Sequence, residues 1–187
     1  MKEQIYLVAL GGNLPSAVGA PALTLRNALV TFEEFGMHVE AVSRFYETPC
    51  FPAGAGPDYV NAAVRLRASL DPAEVLTRLH KIEAEFGRER VQRWGMRTLD
   101  LDLIAAGEVV LPDENTHKHW RTLPLESQKT EAPETLVLPH PRLSERAFVL
   151  VPLADVAQSW RHPILGQTVQ EMLAGLSEAD KDSVKAL

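Results

Sequence analysis

Asp100 and Asp102 stand one residue apart in the run Thr98-Leu99-Asp100-Leu101-Asp102-Leu103, and four arginines (Arg88, Arg90, Arg93, Arg97) crowd just upstream with a single acid, Glu89, among them. In a strand alternate side chains point to opposite faces, so Leu99, Leu101 and Leu103 go one way and the two carboxylates the other. At a rise of about 3.3 Å per residue the acids lie roughly 6–7 Å apart at the Cα level. Like charges at that spacing repel unless a cation lies between them. Magnesium suits the arrangement, because it takes one or two protein carboxylates and fills its shell with water and phosphate oxygens. Metal and arginine together are the recurring equipment of phosphoryl transfer, where catalysis is mostly positioning and charge neutralisation. An Asp-x-Asp alone on a solvated face carries no such message, and an arginine run alone reads as a solvated loop. Their adjacency is the signal.

The totals limit what surrounds this pair. A chain of 187 residues, 45% hydrophobic and 24% charged, has ordinary globular composition and is expected to form one domain, residues 1–187, with a core of its own. Its net charge of -6 argues against non-specific nucleic-acid binding, so the local arginine excess implies an anionic small ligand instead. No apolar run approaches the 18 or so residues that span a bilayer, and no membrane contact is expected. The opening Met1-Lys2-Glu3-Gln4-Ile5-Tyr6-Leu7 reads as the approach to a first strand rather than as a signal peptide. The one cysteine, Cys50, has no internal partner, which fits a reducing cytoplasm. There is no G-x-x-x-x-G-K-[ST] string, and Gly11-Gly12-Asn13 is not a dinucleotide fingerprint, so a P-loop kinase is excluded.

The elements that must position the acids can be read in order. Ile5–Ala9 is a short apolar strand, and Leu25, Ala28, Leu29 and Phe32 mark a helix over 22–35. Val39–Glu47 reads as a strand, and 49–57, with three prolines and two glycines, as a loop. Tyr59–Ala68 alternates as a half-buried strand. Asp71-Pro72-Ala73-Glu74 is a capping box with proline at the first helical position, opening a helix that Gly87 ends. Thr98–Ala105 is the strand that carries the acids. Residues 108–134 hold three prolines and six acidic against three basic residues, and read as a surface insertion, with Trp120 and Leu123 suggesting that it docks. A short strand over 135–138, a helix over 144–156 interrupted near Pro152 and a last helix over 168–176 complete the chain. The order β-α-β-β-α-β predicts an α+β, ferredoxin-like fold: a largely antiparallel sheet with helices packed on it.

With these residues in hand, the sequence resembles the 6-hydroxymethyl-7,8-dihydropterin pyrophosphokinase family of folate biosynthesis. The resemblance rests on Leu10-Gly11-Gly12-Asn13, Phe45-Tyr46-Glu47-Thr48-Pro49, Pro57-Asp58-Tyr59-Val60-Asn61-Ala62, Gly87-Arg88, the Arg93–Leu103 run, and Pro139-His140-Pro141-Arg142 followed by Arg146-Ala147-Phe148. It spans nearly the whole chain apart from 108–134 and the C-terminal tail. It implies that ATP donates its terminal pyrophosphate to the pterin's hydroxymethyl oxygen, releasing AMP, with two Mg2+ ions held by Asp100 and Asp102. It assigns catalysis to Arg88, Arg97 and Asp102, and the ATP side to Glu83, Arg88, Arg90, Trp94, Arg97, Leu103, His140 and Arg146. The pterin falls to Thr48, Pro49, Phe51, Tyr59, Asn61 and Phe148. The partners it implies are small molecules, the chain itself a cytoplasmic monomer. The loops 49–57 and 88–97 are expected to close over the substrates.

Taken singly, several of these residues read otherwise. Tyr59 and Phe148 would be core aromatics, His140 a surface or capping histidine, and His117-Lys118-His119 a polar stretch rather than a metal site. Cys50 has no activating neighbour in sequence and receives no role. Met96 stands where the family usually has proline, Val91 where some members have lysine, and Pro141 where tyrosine is frequent. Gly12 replaces a common serine, a change expected to matter little. Two other readings stay open at this level: a family member that has lost its activity and serves as a structural partner, and a ferredoxin-like module gripping RNA. The negative charge and the absence of a Lys/Arg-Gly-Phe-aromatic string weigh against the second.

Overall fold

The computed structural model describes residues 2–50, 56–87, 97–124, 127 and 130–187. Within them β1 (Gln4–Gly12), α1 (Pro21–Glu34), β2 (His38–Val42), β3 (Tyr46–Thr48), β4 (Tyr59–Ala68), α2 (Pro72–Glu85) and β5 (Asp100–Ala106) follow in order. With the C-terminal β6 (Lys185–Ala186) the strands form one sheet in the order β5-β1-β4-β3-β6, with β2 also pairing with β4 and every pairing antiparallel. This is the α+β arrangement expected, with the acid-bearing strand at one edge.

The central strands are covered on both faces, which corrects the half-buried reading of β4. On one face Tyr6, Val8, Leu10, Ala62, Val64 and Leu66 pack with Leu99, Leu101 and Leu103 against α1 and α2. On the other, Leu7, Ala63, Ile104 and Ala105 meet α4 (Ala147–Ala157) and α5 (Val169–Ala174). Each buried leucine contributes about 1.5–3 kcal/mol. A one-residue slip of β5 would expose three of them and bury two carboxylates, so its register is strongly fixed. A β-bulge follows: Val8 pairs with Leu103 and Leu7 with Ala105, leaving Ile104 extra.

Local chemistry explains most boundaries. The Asp71 carboxylate accepts from Glu74 N at 2.8 Å and Glu74 reaches back to Asp71 N, so α2 opens on the box read from sequence. The strand expected over Val39–Glu47 is broken into β2 and β3, because Ser43 Oγ takes the Ala63 N–H at 2.8 Å and substitutes for a ladder bond. Arg44 and Tyr46 then both hydrogen-bond Asp155 of α4. The helix expected to be interrupted at Pro152 runs through it, at the cost of one bond to the carbonyl of exposed Phe148. Residues 135–138 form no strand, only an isolated bridge between Leu138 and Leu111. The insertion is not merely a surface excursion: Asp113 caps α3 (Glu114–Thr122), and His117 and Leu123 are buried. Residues 125, 126, 128 and 129 of the insertion lie outside the described residues. The tail adds α6 (Glu178–Asp182) and β6 (Lys185–Ala186), which pairs with β3. No helix among the described residues is long and apolar enough to cross a membrane.

Candidate active site

Asp100 of β5 lies opposite Gly11 of β1, which lies opposite Asn61 of β4. The next row is Asp102, Ala9 and Ala63. Acid and amide therefore share one face of the sheet, with small residues as the floor between them. A Cβ on Gly11 would meet Asn61 Oδ1 at 3.0 Å, so the glycine is what leaves the crevice open. Gly12 is constrained more severely: a Cβ there would sit 2.6 Å from Thr98 O, a backbone atom that cannot swing aside. The expectation that Gly12 matters little is thus corrected, because in this chain β1 passes Thr98 too closely for a side chain.

Arg97 pairs with Asp100, both largely shielded from solvent. Asn13, 2% exposed, fixes that arginine's backbone: its Oδ1 accepts from Arg97 N at 2.9 Å, and its own N–H donates to Arg97 O at 2.9 Å. The same amide donates from Nδ2 to Pro57 O at 3.1 Å. One side chain thus ties the end of the arginine segment to the end of the 49–57 segment. In sequence Asn13 stands only as the end of the Leu10–Asn13 string, with no role of its own. Its burial among three backbone groups is a tertiary fact with no local signal.

Around the acids the charges alternate. Burial lowers the pKa of the Arg146 guanidinium, while Asp102, Glu145 and Asp100 oppose that shift. His140 is pushed down to about 3 by burial and by Arg146 and Arg142, with Asp100 pulling the other way. Its Nδ1 accepts from Arg142 N at 3.1 Å, so in the neutral ring Nε2 carries the proton and can donate to an anion. His140 N also donates to Ile104 O at 2.8 Å, which lays this residue along the free edge of β5. Glu83, 1% exposed, accepts from Leu101 N at 2.8 Å on the same edge. Leu103 points its side chain into the opposite core, so only its backbone is available on that edge.

Across the floor, Asn61 Nδ2 donates to Thr48 Oγ1 at 2.7 Å, with both residues buried. Tyr59 is partly buried; burial raises its phenol pKa against the pull of Arg97, with Cys50 and Asp100 reinforcing, so this ring lies in the field of the Arg97–Asp100 pair. Phe148, at the start of α4, is 41% exposed, with the Arg146 guanidinium 5.7 Å from its centroid. Two aromatic rings and an amide on one side, two acids with arginine and histidine on the other, suit a flat heterocycle beside a polyphosphate. Magnesium fits the donor set, since Asp100 and Asp102 are hard oxygen ligands and no third His, Cys, Asp or Glu joins them among the described residues.

A family model for 7,8-dihydro-6-hydroxymethylpterin-pyrophosphokinase (HPPK) matches residues 7–158. The chain belongs to the HPPK family. A 2-amino-4-hydroxy-6-hydroxymethyldihydropteridine pyrophosphokinase of Synechocystis sp. is 38% identical over 168 residues, 89% of this chain and 73% of that one. The enzyme of the same name from Pseudomonas aeruginosa is 38% identical over 176 residues, 93% of this chain and 92% of that one. Among solved structures, wild-type Plasmodium falciparum HPPK-DHPS with pteroate has the same fold, with a TM-score of 0.67 at 14% identity. That match covers 93% of this chain but 44% of the longer one, so the chain spans under half the length of the fused HPPK-DHPS protein.

Of the residues that the HPPK resemblance singled out, Glu83, Arg97, Asp100, Asp102, His140 and Arg146 surround the acid end of the crevice, and Thr48, Tyr59, Asn61 and Phe148 the other. Pro49 instead lines a separate hollow with Glu47, Thr48 and Asp58 against the C-terminal residues Ala179, Asp182 and Lys185. Arg88, Arg90, Trp94 and Phe51 lie outside the described residues, as do Val91 and Met96, and so does most of each loop expected to close.

Proposed function

We propose that this crevice is where the chain works as an ATP-dependent pyrophosphokinase of folate synthesis. The reaction is that of the HPPK family: pyrophosphate passes from ATP to the hydroxymethyl group of 6-hydroxymethyl-7,8-dihydropterin. The hydroxymethyl oxygen bonds to the β-phosphorus, the bond from that phosphorus to the AMP oxygen breaks, AMP leaves and the hydroxyl proton is released.

Asp100 and Asp102 would hold two Mg2+ ions, which when bound supply neutralisation of the triphosphate. Arg97, Arg88 and Arg146 add positive charge around the transferring group, where it is worth most because the surroundings are dry. His140 donates from Nε2 toward the nucleotide, and Arg90, Trp94 and the backbone of Leu103 complete that side. Glu83 acts by holding β5 through Leu101 N, which keeps the acids in register. On the pterin side Tyr59 and Phe148 offer ring faces, Asn61 an amide, and Thr48, Pro49 and Phe51 the enclosing wall. Such stacking adds about 0.5–1.5 kcal/mol beyond burial. We further assign a monomer working in the cytoplasm on small-molecule substrates.

The observation that supports this reading is the row Asp100–Gly11–Asn61, a carboxylate and an amide on one face of the sheet with a residue that has no side chain between them. The experiment that tests it is detection of AMP from ATP, Mg2+ and 6-hydroxymethyl-7,8-dihydropterin, with Asp102→Ala as control. AMP formed only when pterin, metal and intact Asp102 are all present supports the assignment. ADP in place of AMP would move attack to the γ-phosphorus and overturn it.

A further inference from the structure

Within the described residues the insertion is hydrogen-bonded to the turn from Pro139 to Arg142. His117 of α3 is fully buried, and its Nε2 lies 2.9 Å from Pro139 O. A carbonyl can only accept, so Nε2 carries the ring proton and donates. Arg142, 8% exposed, returns the contact: Nη1 donates to Arg121 O at 3.3 Å and Nη2 to Leu123 O at 2.7 Å. Between these two anchors sits His140, whose Nδ1 accepts from the main-chain N–H of the same Arg142. Leu111 and Leu138 exchange backbone bonds at 2.9 and 3.0 Å and close the base of the insertion beside the turn. From behind, the His162 ring packs edge-on against His117 at 5.5 Å.

We propose that α3 is a brace for the nucleotide side of the site, with His117 and Arg142 as positioning residues that set the backbone on which His140 is mounted. The inference rests on the assignment of His140 to ATP. The physical case is connectivity. Arg142 holds the insertion with its guanidinium and fixes the His140 tautomer with its backbone, so the two contacts share one residue. Pro139, adjacent to His140, is held through its carbonyl by a side chain that has no exposed surface. Loss of the His117 hydrogen bond leaves Pro139 O to find another donor, and the turn must move to do so. A histidine displaced by even a fraction of an ångström donates poorly to a phosphate oxygen. The pterin side, on β3, β4 and the start of α4, is not part of this contact.

The test is steady-state kinetics with the full chain. His117→Ala is expected to raise KM for ATP about tenfold, the effect of one buried hydrogen bond, while KM for the dihydropterin and kcat stay within about twofold. His117→Gln, whose amide nitrogen can reach the Pro139 carbonyl, is expected to restore most of the ATP affinity. His140→Ala serves as the reference. If it raises KM for ATP and His117→Ala does not, the brace is overturned while the nucleotide assignment stands. If His140→Ala leaves KM for ATP unchanged, the assignment fails and the brace with it. Equal rises for both substrates in His117→Ala would mean general loosening and would also overturn the proposal. Should His117→Ala not fold, Arg142→Gln carries the same test, since it strips the bonds to Arg121 O and Leu123 O and keeps the N–H on which His140 depends, with Glu145→Gln as the control for the ion pair to Glu145 that is lost with them.

Discussion

Asn13 and Arg97 hold each other through a reciprocal pair of bonds, Asn13 N to Arg97 O and Arg97 N to Asn13 Oδ1, both at 2.9 Å. The arginine's side chain is thereby free to meet Asp100 while its backbone is fixed. Because Asn13 Nδ2 also holds Pro57 O, the amide links the two ends of the crevice, those assigned above to ATP and to the pterin. Asn13→Ala removes both side-chain bonds, to part-buried Arg97 N and exposed Pro57 O, at about 0.5–1.5 kcal/mol for each. A fall in melting temperature together with kcat/KM reduced at least tenfold is expected. Asn13→Asp keeps the acceptor for Arg97 N but sets a carboxylate against Pro57 O. It should therefore raise KM for the dihydropterin more than KM for ATP. Equal effects on both substrates would mean that the amide does not act as a link.

Asp100→Ala and Asp102→Ala should differ in stability but agree in activity. Both acids lie on a strand whose register is set by Leu99, Leu101 and Leu103, so neither change disturbs packing. Asp100 forms an ion pair with Arg97, and losing it removes that pair; Asp102 lies in the field of Arg146. Turnover is expected to fall on the order of a thousandfold or more in each, since each removes charge stabilisation at the reacting group. Circular dichroism and thermal melts on the same samples check the fold. A variant that retains Mg2+-dependent AMP formation would remove the acid from the assigned role.

The two glycines of β1 should respond differently to alanine. At Gly11 the new methyl meets a side-chain atom, Asn61 Oδ1, at 3.0 Å, which can give by turning away from Thr48. The protein should stay folded with a weakened pterin site and an unchanged KM for ATP. At Gly12 the methyl meets a backbone oxygen at 2.6 Å, so the strand or the Thr98 segment must shift, at about 1–3 kcal/mol. Chemical denaturation of the two variants distinguishes them: Gly12→Ala should lose more stability than Gly11→Ala.

Much of this was legible locally. The Asp71-to-Glu74 box opens α2 because its partners lie three residues apart, and Asp100 and Asp102 share a face because strand alternation needs no tertiary information. What escaped depends on distant partners. Asn13 finds Pro57 and Arg97 across 44 and 84 residues, and Ser43 breaks its strand through an Ala63 N–H 20 residues away. The helix α3 escaped for a different reason. Its buried residue is His117, so the sequence shows polar character where an apolar stripe would mark a docked helix. The second covering layer on β4 was masked in the same manner by Arg65, which pairs with Glu40 at 3.0 Å instead of reaching solvent alone.

The buried histidines set an acid limit on stability. Burial lowers the His117 pKa, with Arg121 adding to the shift against the bond to Pro139, and drives that of His162 down to about 4, with His117 and Arg121 adding to it. Unfolded, each takes up a proton near pH 6.5. As pH falls below that value the unfolded chain binds protons that the folded one refuses, so stability present above pH 6.5 is lost on the way down to about pH 4 for His162. The carboxylate of Asp155, which against its burial is held low by Arg44 and Tyr46, acts below this window. His162→Asn keeps an acceptor for the Ile164 and Leu165 N–H groups that His162 Nδ1 serves, and cannot titrate. Urea melts between pH 7.5 and 4.5 are expected to fall less steeply for this variant, and parallel profiles would assign the acid sensitivity elsewhere.

Phe148 offers the cleanest separation of binding from folding. Its ring is 41% exposed, so Phe148→Ala removes only part of a buried phenylalanine's surface and should cost about 1–2 kcal/mol of stability, less than the roughly 3–5 kcal/mol of a fully buried ring. If the ring stacks on the pterin, the loss is the stacking increment of about 0.5–1.5 kcal/mol plus the burial that the substrate would have provided. Together these correspond to a rise in KM for the dihydropterin of roughly tenfold or more. Phe148→Tyr keeps the ring and should stay near the parent, whereas Phe148→Leu keeps bulk without a π face and should fall between. The Arg146 guanidinium, 5.7 Å from the ring centroid, supplies the internal control: if the ring's main duty is to seat that arginine, KM for ATP will move as well. A rise confined to the dihydropterin identifies the ring as a stacking platform, and no change in either constant would leave it a surface aromatic.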